Sequence, residues 1–254
     1  MIVLPMISAV VLTHNSAATL RTTLKSLGFA DEVLVIDDHS TDETANIAKS
    51  CNAYITTNPL GDDFSQQRNL GLRLAKGDWV LYVDSDEVVP ESLAKEIVQA
   101  SRAHSDVVGY MIKRADMLWG KVLRHGETEN VRLLRFAKKD AGFWIRPVHE
   151  VWQVKGLIGN FTSPLLHTPH PTVSQFLASI SRYSTINAEY LYRKKTRIPL
   201  WHVVAYPVAK FFVNYVLRLG FLDGTQGAIV AIMMSFHSFL VRSKLWLLTH
   251  ASKN

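Results

Sequence analysis

Two aspartates one residue apart, Asp84 and Asp86, directly follow an apolar run in the chain. Alternate side chains of an extended segment point to the same side, so both carboxylates can reach one divalent cation. Carboxylate oxygens are ligands that suit the hard cations Mg²⁺ and Mn²⁺. The spacing therefore indicates a metal site at the end of a strand.

The same residues allow a second interpretation. The segment 84–88 fits the DxDx[TV] pattern of haloacid-dehalogenase-type phosphotransferases, in which Asp84 would be the nucleophile. That family carries the pattern on its first strand and an acidic pair later in the chain. Here the acidic pair Asp37 and Asp38 comes earlier, so the order of the motifs argues against a phosphotransferase.

Two further polar clusters also follow apolar runs. The segment 13–15 comes after the run 7–12, and Asp37 and Asp38 come after the run 32–36. In an open parallel sheet, ligands bind outside the carboxyl ends of the strands. We therefore expect both clusters to lie beside Asp84 at one edge of a sheet and to form a single binding site.

The alternation of apolar runs with amphipathic segments predicts an α/β fold, with a mainly parallel sheet covered by helices on both faces. Ser16 is a candidate N-cap for the first helix, and Ser40 or Thr41 for the second. Pro90 would open the fourth helix. The predicted strands are 7–12, 32–36, 53–56 and 79–83, and the predicted helices are 17–27, 40 or 41 to 48, 64–75 and 90–101.

The order of the motifs resembles glycosyltransferase family 2, whose members have the GT-A fold of nucleotide-diphospho-sugar transferases. The segments that carry the resemblance are VVLTHN, VLVIDDHSTDET, QQRNLGLRLAKGDWVLYVDSDE and RPVHE, and it covers residues 6–170. Looser similarity to bacterial lipopolysaccharide core glucosyltransferases lies in LLH near Leu165, in 182–188 and in GFLDG at Gly220.

The resemblance implies a site for a nucleotide-sugar donor with a uracil base. Asp38 would accept a hydrogen bond from the base, with support from Asp37. Asp84 would lie near the ribose. Asp86 would bind the Mg²⁺ or Mn²⁺ that bridges the two phosphates, with Asp84 as a further ligand and His167 as a third. The implied donor-binding residues are Thr13, Asn15, Asp37, Asp38, Arg68 and Asp84.

Two of these assignments have structural alternatives. Without the resemblance, Arg68 is typical of an exposed helix arginine, and His167 of a structural histidine.

An inverting sugar transfer needs a general base that takes the proton of the acceptor hydroxyl. The resemblance assigns this role to Glu150, in the acceptor-side segment RPVHE. A pairing of Glu150 with Arg146 or His149 is the structural alternative. Glu127 and Glu129 are weaker candidates for the base.

Charge separates along the chain. From residue 171 onward, ten basic residues stand against two acidic ones, a net charge of +8, whereas residues 1–170 carry −2. An apolar segment with a narrow polar stripe, 203–218, and a second apolar segment, 228–241, predict a helical hairpin. A spanning helix needs about 20 largely apolar residues, which neither segment has without interruption.

Because neither segment is long enough to span a bilayer, we expect the two helices of the hairpin to lie on an anionic membrane surface, beside the basic cluster 193–197. Packing on the catalytic domain or on another subunit is the alternative. No motif that reads nucleic-acid bases is present, so we expect no nucleic-acid partner.

The sequence thus predicts a GT-A catalytic domain at 1–170 and a helical, basic, membrane-associated extension at 171–254. The expected reaction is a metal-dependent, inverting transfer from a UDP-sugar to a membrane-associated glycan, such as lipopolysaccharide core. A polyprenyl phosphate acceptor and a catalytically silent, carbohydrate-binding scaffold are the alternatives.

The expected location is the cytoplasmic face of the inner membrane. The single cysteine, Cys51, suits a reducing compartment. The amino terminus has neither the basic residues nor the small-residue cleavage site of an export signal.

Overall fold

The structure is a computed structural model that describes residues 4–251. Its contacts divide the chain into two compact units. Unit 1 contains the residues up to 114 together with 132–167, and unit 2 contains 115–131 together with the residues from 168 onward. The sequence predicts one boundary, after residue 170, and does not anticipate that 115–131 joins the second unit.

Unit 1 contains most of the strands and four helices. The strands are β1 (Ile7–Thr13), β2 (Glu32–Asp37), β3 (Tyr54–Thr57), β4 (Trp79–Asp84), β5 (Glu87–Val88), β6 (Val107–Leu118, which continues into unit 2), β8 (Arg132–Lys138), β9 (Gly142–Ile145), β10 (Val151–Val154), β11 (Leu157–Asn160) and β12 (Leu165–His167), with β7 (Lys121–Val122) in unit 2. The helices are α1 (Leu20–Ser26), α2 (Thr44–Ser50), α3 (Phe64–Leu74) and α4 (Glu91–Arg102).

The main sheet of unit 1 has the strand order β3-β2-β1-β4-β8-β6. The first four strands are parallel to one another, whereas β8 is antiparallel to both β4 and β6. β11 pairs parallel with β6, β12 pairs antiparallel with β5, and β9 with β10 forms a separate antiparallel pair. The predicted α/β class with a mainly parallel sheet is confirmed.

The parallel strands are buried on both faces because helices or a hairpin cover each face. All seven residues of β1 are buried. One face packs against α1 and α4, which contribute Leu24 and Ile97. The other face packs against α3 and the β9–β10 pair, which contribute Leu72, Trp144 and Trp152. These two apolar layers hold the strand ends in place.

The first two helices begin later than the sequence predicts, because the hydroxyls of the candidate caps are used elsewhere. Ser16 Oγ lies 2.8 Å from Ser85 Oγ, and α1 begins only after an intervening turn. Ser40 Oγ donates to Asp37 at 2.5 Å. The predicted caps at Ser16 and Ser40 are therefore wrong, and both hydroxyls stabilise loops at the strand ends.

Unit 2 is mainly helical. Its helices are α5 (Val173–Arg193), α6 (Trp201–Phe212), a π-helical turn (Val213–Leu217), a 3₁₀ turn (Gly220–Asp223) and α7 (Gly224–Ala251). Helix α7 packs against both α5 and α6. Phe176, Ile180, Val230 and Met233 form the centre of the apolar core of this unit.

The predicted hairpin is present but longer than expected. Pro207 lies inside α6. Helix α7 has 28 residues, 224–251, whereas the predicted segment 228–241 has 14. The basic residues just beyond the predicted end make contacts within unit 2. Arg242 donates to Ser238, and Lys244 Nζ donates to the backbone carbonyl of Ser181.

One helical stretch among residues 4–251, Gly220–His250, is long and apolar enough to cross a membrane by its length and composition. The predicted segment 228–241 is too short for this, so the structure corrects the predicted length. About 44% of the apolar window is buried within the structure.

Gly77, which precedes β4, permits a close backbone contact. A Cβ atom there would lie 2.7 Å from both the carbonyl oxygen of Met6 and the backbone nitrogen of Ser8. We expect Gly77→Ala to lower the free energy of unfolding by about 1–3 kcal/mol, because overpacking moves the backbone. Urea denaturation measures this change.

Gly28→Ala is the matched control, since its Cβ would lie 3.7 Å from the nearest atom, the carbonyl oxygen of Lys25. Its effect should remain within about 0.5 kcal/mol. Equal destabilisation by the two substitutions would contradict the close contact at Gly77.

Candidate functional site

The carboxyl ends of β1, β2 and β4 meet at one edge of the sheet. The strand register pairs Thr13 with Asp37 and Leu12 with Asp84. The polar segments that follow these three strands therefore begin side by side, as the sequence predicts. This is the edge at which parallel α/β sheets bind ligands.

Asp84, at the end of β4, accepts hydrogen bonds on both carboxylate oxygens. Arg68 Nη2 donates to Oδ1 at 2.9 Å, and Arg135 donates to Oδ2 at 2.7 Å and to Oδ1 at 3.3 Å. Burial raises the pKa of Asp84, but Arg135 and Arg68 outweigh this effect and hold the pKa well below its usual range. The carboxylate is therefore ionised at neutral pH.

Arg68 is a buried residue and not the exposed helix arginine of the alternative interpretation. Its side chain is only 3% exposed. The guanidinium lies over the ring of Trp144, with 4.8 Å between its carbon and the ring centroid, and over Tyr82 at 5.7 Å. The Tyr82 hydroxyl also donates to the Arg68 carbonyl at 2.7 Å. These contacts fix the arginine between helix α3 and the sheet.

Glu150, which precedes β10, pairs with the same arginine. Arg68 Nε donates to Glu150 Oε1 at 2.6 Å, and the Glu150 side chain is 15% exposed. Burial raises the pKa of Glu150, but Arg68 and Arg135 more than offset this and lower the pKa below its ordinary value of 4.5. The base candidate is thus a mostly buried, ionised carboxylate, and its pairing with Arg68 was not anticipated from the sequence.

Glu87 and Arg135 belong to this cluster, although no role for either was predicted from the sequence. Glu87 is fully buried, and its Oε2 accepts from the backbone N–H of Asp84 at 2.8 Å. Burial and the charge of Asp84 raise the pKa of Glu87. Strand β8 carries both Arg132 and Arg135, and of the two it is Arg135 that binds Asp84.

Asp86 and His167 lie close together beside this cluster. His167 Nε2 is 3.5 Å from Asp86 Oδ2, and the Asp86 side chain is 35% exposed. Among the residues that the structure describes, no group of three or more His, Cys, Asp or Glu side chains is arranged to hold a metal ion. Asp84 is the other predicted ligand, and both of its carboxylate oxygens already accept hydrogen bonds from arginines.

The two remaining predicted ligands, Asp86 and His167, still have the chemistry to bind a divalent cation. Mg²⁺ is commonly held by one or two carboxylates together with substrate phosphates and water. Asp86 offers an accessible carboxylate, and His167 an imidazole, which suits a transition metal. The residues therefore fit an ion whose coordination a bound diphosphate completes, and the metal roles of Asp84, Asp86 and His167 stay predictions.

Asp37 and Asn15 stabilise the loop that follows β2. Asp37 accepts from the backbone N–H of Ser40 at 3.0 Å as well as from its hydroxyl. The side-chain oxygen of Asn15 accepts from the backbone N–H of Thr41 at 2.8 Å. In this structure both side chains therefore shape the edge of the site from within.

Asp38 and Thr13 retain capacity for a ligand. Asp38 Oδ1 accepts from the backbone N–H of Leu60 at 2.9 Å, and its Oδ2 lies 3.8 Å from His14 Nδ1. The Thr13 hydroxyl is buried and has no hydrogen-bond partner among the described residues. Buried polar atoms of this kind are normally satisfied by a partner such as water.

Glu127 and Glu129 lie in unit 2, whereas Glu150 lies in unit 1. Glu127 accepts from Asn214 and forms an ion pair with Lys210, each at 2.9 Å. Its carboxylate is therefore already engaged within unit 2.

The fold and the site place the chain among α/β enzymes that bind their ligands at the carboxyl ends of parallel strands. Residues 8–151 match the family model described as glycosyl transferase family 2. The match covers more than half of the chain, so the chain belongs to glycosyl transferase family 2. The resemblance predicted from the ordered motifs is confirmed, and the protein is a glycosyltransferase.

Relatives are similar over nearly the whole chain. The lipopolysaccharide core biosynthesis glycosyltransferase LpsC of Rhizobium meliloti (strain 1021) is 24% identical over 251 residues, which cover 94% of this chain and 92% of LpsC. An uncharacterized glycosyltransferase of Rickettsia bellii (strain RML369-C) is 26% identical over 257 residues, which cover 94% and 85% of the two chains. The similarity thus includes unit 2.

Solved structures of glucosyl-3-phosphoglycerate synthase from Mycobacterium tuberculosis share the fold. The complex with glucosyl-3-phosphoglycerate, UDP and Mn²⁺ has a TM-score of 0.51 and 18% identity, and the alignment covers 76% of this chain and 81% of the synthase. The complex with phosphoglyceric acid, UDP and Mn²⁺ has a TM-score of 0.50 and 17% identity, with 76% and 80% covered. The predicted GT-A fold is confirmed.

Arg68 is the central cation of the buried cluster, so its removal should destabilise the protein. We expect Arg68→Met to lower the free energy of unfolding at pH 7 by about 3–5 kcal/mol, because Asp84 and Glu150 lose a buried partner. Arg73→Met, on the exposed side of α3, is the control and should change it by less than about 0.5 kcal/mol.

The difference between Arg68→Met and the wild type should also depend on pH. Both paired carboxylates have lowered pKa values, so their pairing stabilises the protein above their ordinary values of 3.8 and 4.5. This stabilisation is lost as the pH falls through the lowered values. Urea denaturation over a pH series measures it, and equal stability of the two arginine variants at pH 7 would refute the role of Arg68.

Proposed function

We propose that this glycosyltransferase transfers a sugar, with inversion, from a UDP-sugar to a hydroxyl group of a membrane-associated glycan of the lipopolysaccharide core type. The observation that carries the proposal is the ionised carboxylate of Glu150, held by Arg68 beside the strand-end residue Asp84. The acceptor class is supported by the similarity to LpsC, whose name assigns it to lipopolysaccharide core biosynthesis.

The donor would bind at the carboxyl edge of the sheet. Asp38 would accept the imide N–H of uracil, and Thr13 would contribute its unpaired hydroxyl. Asn15 and Asp37 would hold the loop after β2 in shape for the nucleotide. The synthase with the same fold was crystallised with UDP, which supports a uridine nucleotide.

A divalent cation would be held by Asp86 and His167, with Mg²⁺ or Mn²⁺ as the candidates. When bound, such an ion supplies positive charge that stabilises a diphosphate leaving group. Arg68 and Arg135 provide fixed positive charge next to Asp84. They orient the ribose-binding carboxylate that the family resemblance assigns to Asp84, and they keep it ionised.

Glu150 would act as the general base. The acceptor oxygen bonds to the anomeric carbon, its proton passes to Glu150, and the bond from that carbon to the diphosphate oxygen breaks. Direct displacement of this kind inverts the configuration. The lowered pKa of Glu150 makes it a weak base. A weak base is sufficient because the hydroxyl becomes strongly acidic as its oxygen bonds to the sugar.

Two alternatives lead to different experimental outcomes. A polyprenyl phosphate acceptor carries its own nucleophilic oxyanion and needs no base, so Glu150 would be dispensable. A silent scaffold would bind no nucleotide sugar productively. The family membership and the ordered cluster around Glu150 favour catalysis over the scaffold.

Replacement of the base tests the mechanism. We expect Glu150→Gln to lower kcat by about 10²- to 10⁴-fold, with little change in KM for the donor, because the base acts only as the acceptor attacks. Because Arg68 lowers the pKa of Glu150, the acid-side loss of wild-type activity should lie below pH 4.5. Transfer of labelled sugar from UDP-sugars to extracted core glycolipids measures both effects.

Glu129→Gln is the control for this experiment, since Glu129 was the weaker base candidate and lies in unit 2. Its rate should stay close to that of the wild type. Full activity of Glu150→Gln toward a glycan would exclude Glu150 as the base. Full activity of this variant toward a polyprenyl phosphate would favour the competing acceptor.

The metal role of Asp86 can be tested by ligand-induced stabilisation. In the presence of Mn²⁺, UDP at 100 times its dissociation constant should stabilise the wild type by about 2.7 kcal/mol. Asp86→Asn should lose this metal-dependent part, whereas Glu91→Gln, at an exposed carboxylate of α4, should retain it. Thermal denaturation with UDP-, GDP- and CMP-sugars provides the measurement. A folded wild type that none of them stabilises would leave the silent scaffold as the better explanation.

A further inference from the structure

Three polar side chains of α6 and the π-helical turn after it, Tyr206, Lys210 and Asn214, make contacts within unit 2. The Arg242 guanidinium lies over the ring of Tyr206 at 4.2 Å, and Lys210 Nζ lies 2.9 Å from a carboxylate oxygen of Glu127. Asn214, which is 3% exposed, donates to the other Glu127 oxygen. A helix at a water-exposed surface normally has the opposite orientation, with its polar side outward.

The apolar side of α6 is exposed instead. Val204 and Val208 are each 64% exposed, and Phe212 is 52% exposed. These residues are four apart and therefore form one stripe along the helix. We call this stripe and its apolar neighbours the outward face, which consists of Leu200, Trp201, Val204, Val208, Phe212, Val216, Leu217, Phe221 and Leu222. An apolar surface of this extent marks an interaction site.

Exposed positive charge lies immediately before the outward face in the chain. Four basic residues occupy the end of α5 and the link to α6, and we call them the basic cluster: Arg193, Lys194, Lys195 and Arg197. Residues 198–222, which contain α6 and the outward face, include no acidic residue. Apolar side chains flanked by Lys and Arg are the combination that anionic lipid bilayers attract.

We propose that the outward face of α6 is inserted into the interface of an anionic lipid bilayer, with the basic cluster at the lipid headgroups. This inference deepens the proposed function, because it rests on a membrane-associated acceptor and names the surface that reaches the membrane. Trp201, which is 61% exposed, stands at the start of α6. Tryptophan is enriched at membrane interfaces because its ring is both apolar and polar.

The structure favours α6 over α7 as the lipid-contacting helix. Helix α7 is the longer apolar helix, but it packs against α5 and α6 and forms part of the core of unit 2. Its side chains Arg242 and Lys244 also contact the other two helices of that unit, Arg242 over the ring of Tyr206 on α6 and Lys244 to Ser184 on α5. Insertion of α7 as a spanning helix would break these contacts, whereas contact through α6 leaves them intact.

Trp201 provides a built-in probe of insertion. Equimolar phosphatidylglycerol and phosphatidylcholine vesicles that carry brominated acyl chains should quench the tryptophan emission of the full chain. The Trp201→Phe variant should lose most of this quenching while it still co-sediments with the vesicles. Quenching that is unchanged in Trp201→Phe would overturn the proposed orientation.

Charge placed on the outward face tests the surface directly. Val208→Asp/Phe212→Asp should lower vesicle binding at least about tenfold, because charged side chains are costly to insert. The matched control is Val173→Asp/Leu177→Asp, two exposed apolar residues four apart on α5. This control should bind vesicles as the wild type does, and circular dichroism should show that both variants are folded. An equal loss of binding in both variants would overturn the assignment to α6.

Neutralisation of the basic cluster tests the electrostatic part. Replacement of its four residues by Gln should weaken binding to the anionic vesicles by about three orders of magnitude at low salt. Binding of the wild type should also weaken as the salt concentration rises. Equally tight binding to pure phosphatidylcholine would contradict the role of the basic cluster.

Three further outcomes would overturn the inference. The first is unchanged co-sedimentation of Val208→Asp/Phe212→Asp. The second is retention of the cellular protein in membranes after alkaline carbonate extraction, which would indicate that α7 spans the bilayer. The third is a dimer in solution that this double variant converts to a monomer, without vesicle binding by the wild type, because a second copy would then cover the face.

Nucleotide-sugar hydrolysis in the absence of lipid separates this inference from the proposed function. The double variant should retain the wild-type rate of UDP release, since α6 contributes nothing to the cluster around Arg68. Vesicle binding by a wild type that neither transfers nor hydrolyses any nucleotide sugar would refute the proposed function, whereas the membrane-contacting surface would remain supported.

Discussion

The site depends on one buried guanidinium that two carboxylates share. Arg68 comes from helix α3, Asp84 from the end of β4 and Glu150 from the residue before β10, so a single cation joins a helix, the sheet and the β9–β10 pair. A buried charge is tolerated only when it is paired and hydrogen-bonded. The position of Glu150 relative to the edge of the sheet therefore follows from the requirement to compensate Arg68.

The packing around this cation explains why it can lie so deep. Gly71 of α3 faces Val10, and a Cβ at that position would collide with the valine side chain, so the glycine lets the helix approach β1 closely. Trp144 then covers the guanidinium at 4.8 Å and limits its access to water. Low access to water strengthens each interaction of Arg68 with its carboxylates. Any side chain at position 71 would push α3 away from β1 and so weaken the burial of Arg68.

The local part of this arrangement could be predicted from sequence, and the long-range part could not. Strand periodicity located the ends of β1, β2 and β4, and the family motifs drew attention to Arg68 and Glu150. The ion pair between Arg68 and Glu150 joins residues 82 positions apart, and no pattern within one segment indicates it. The same holds for the contact of Arg135 with Asp84, which joins residues 51 positions apart. The caps at Ser16 and Ser40 failed because their hydroxyls bind neighbouring loops instead of a helix end.

In unit 2 as well, the sequence predicts a local feature but not the distant residues that contact it. The sequence reveals the polar stripe of α6 but not the direction in which it points, because periodicity carries no information about what lies on either side. The direction is set by Glu127, in the segment 115–131, which binds both Lys210 and Asn214. Once those polar groups are satisfied inside the unit, Val208 and its neighbours are left at the surface. Water alone gives no reason for such an orientation, whereas a lipid interface does, because it favours apolar side chains outside and paired polar groups within.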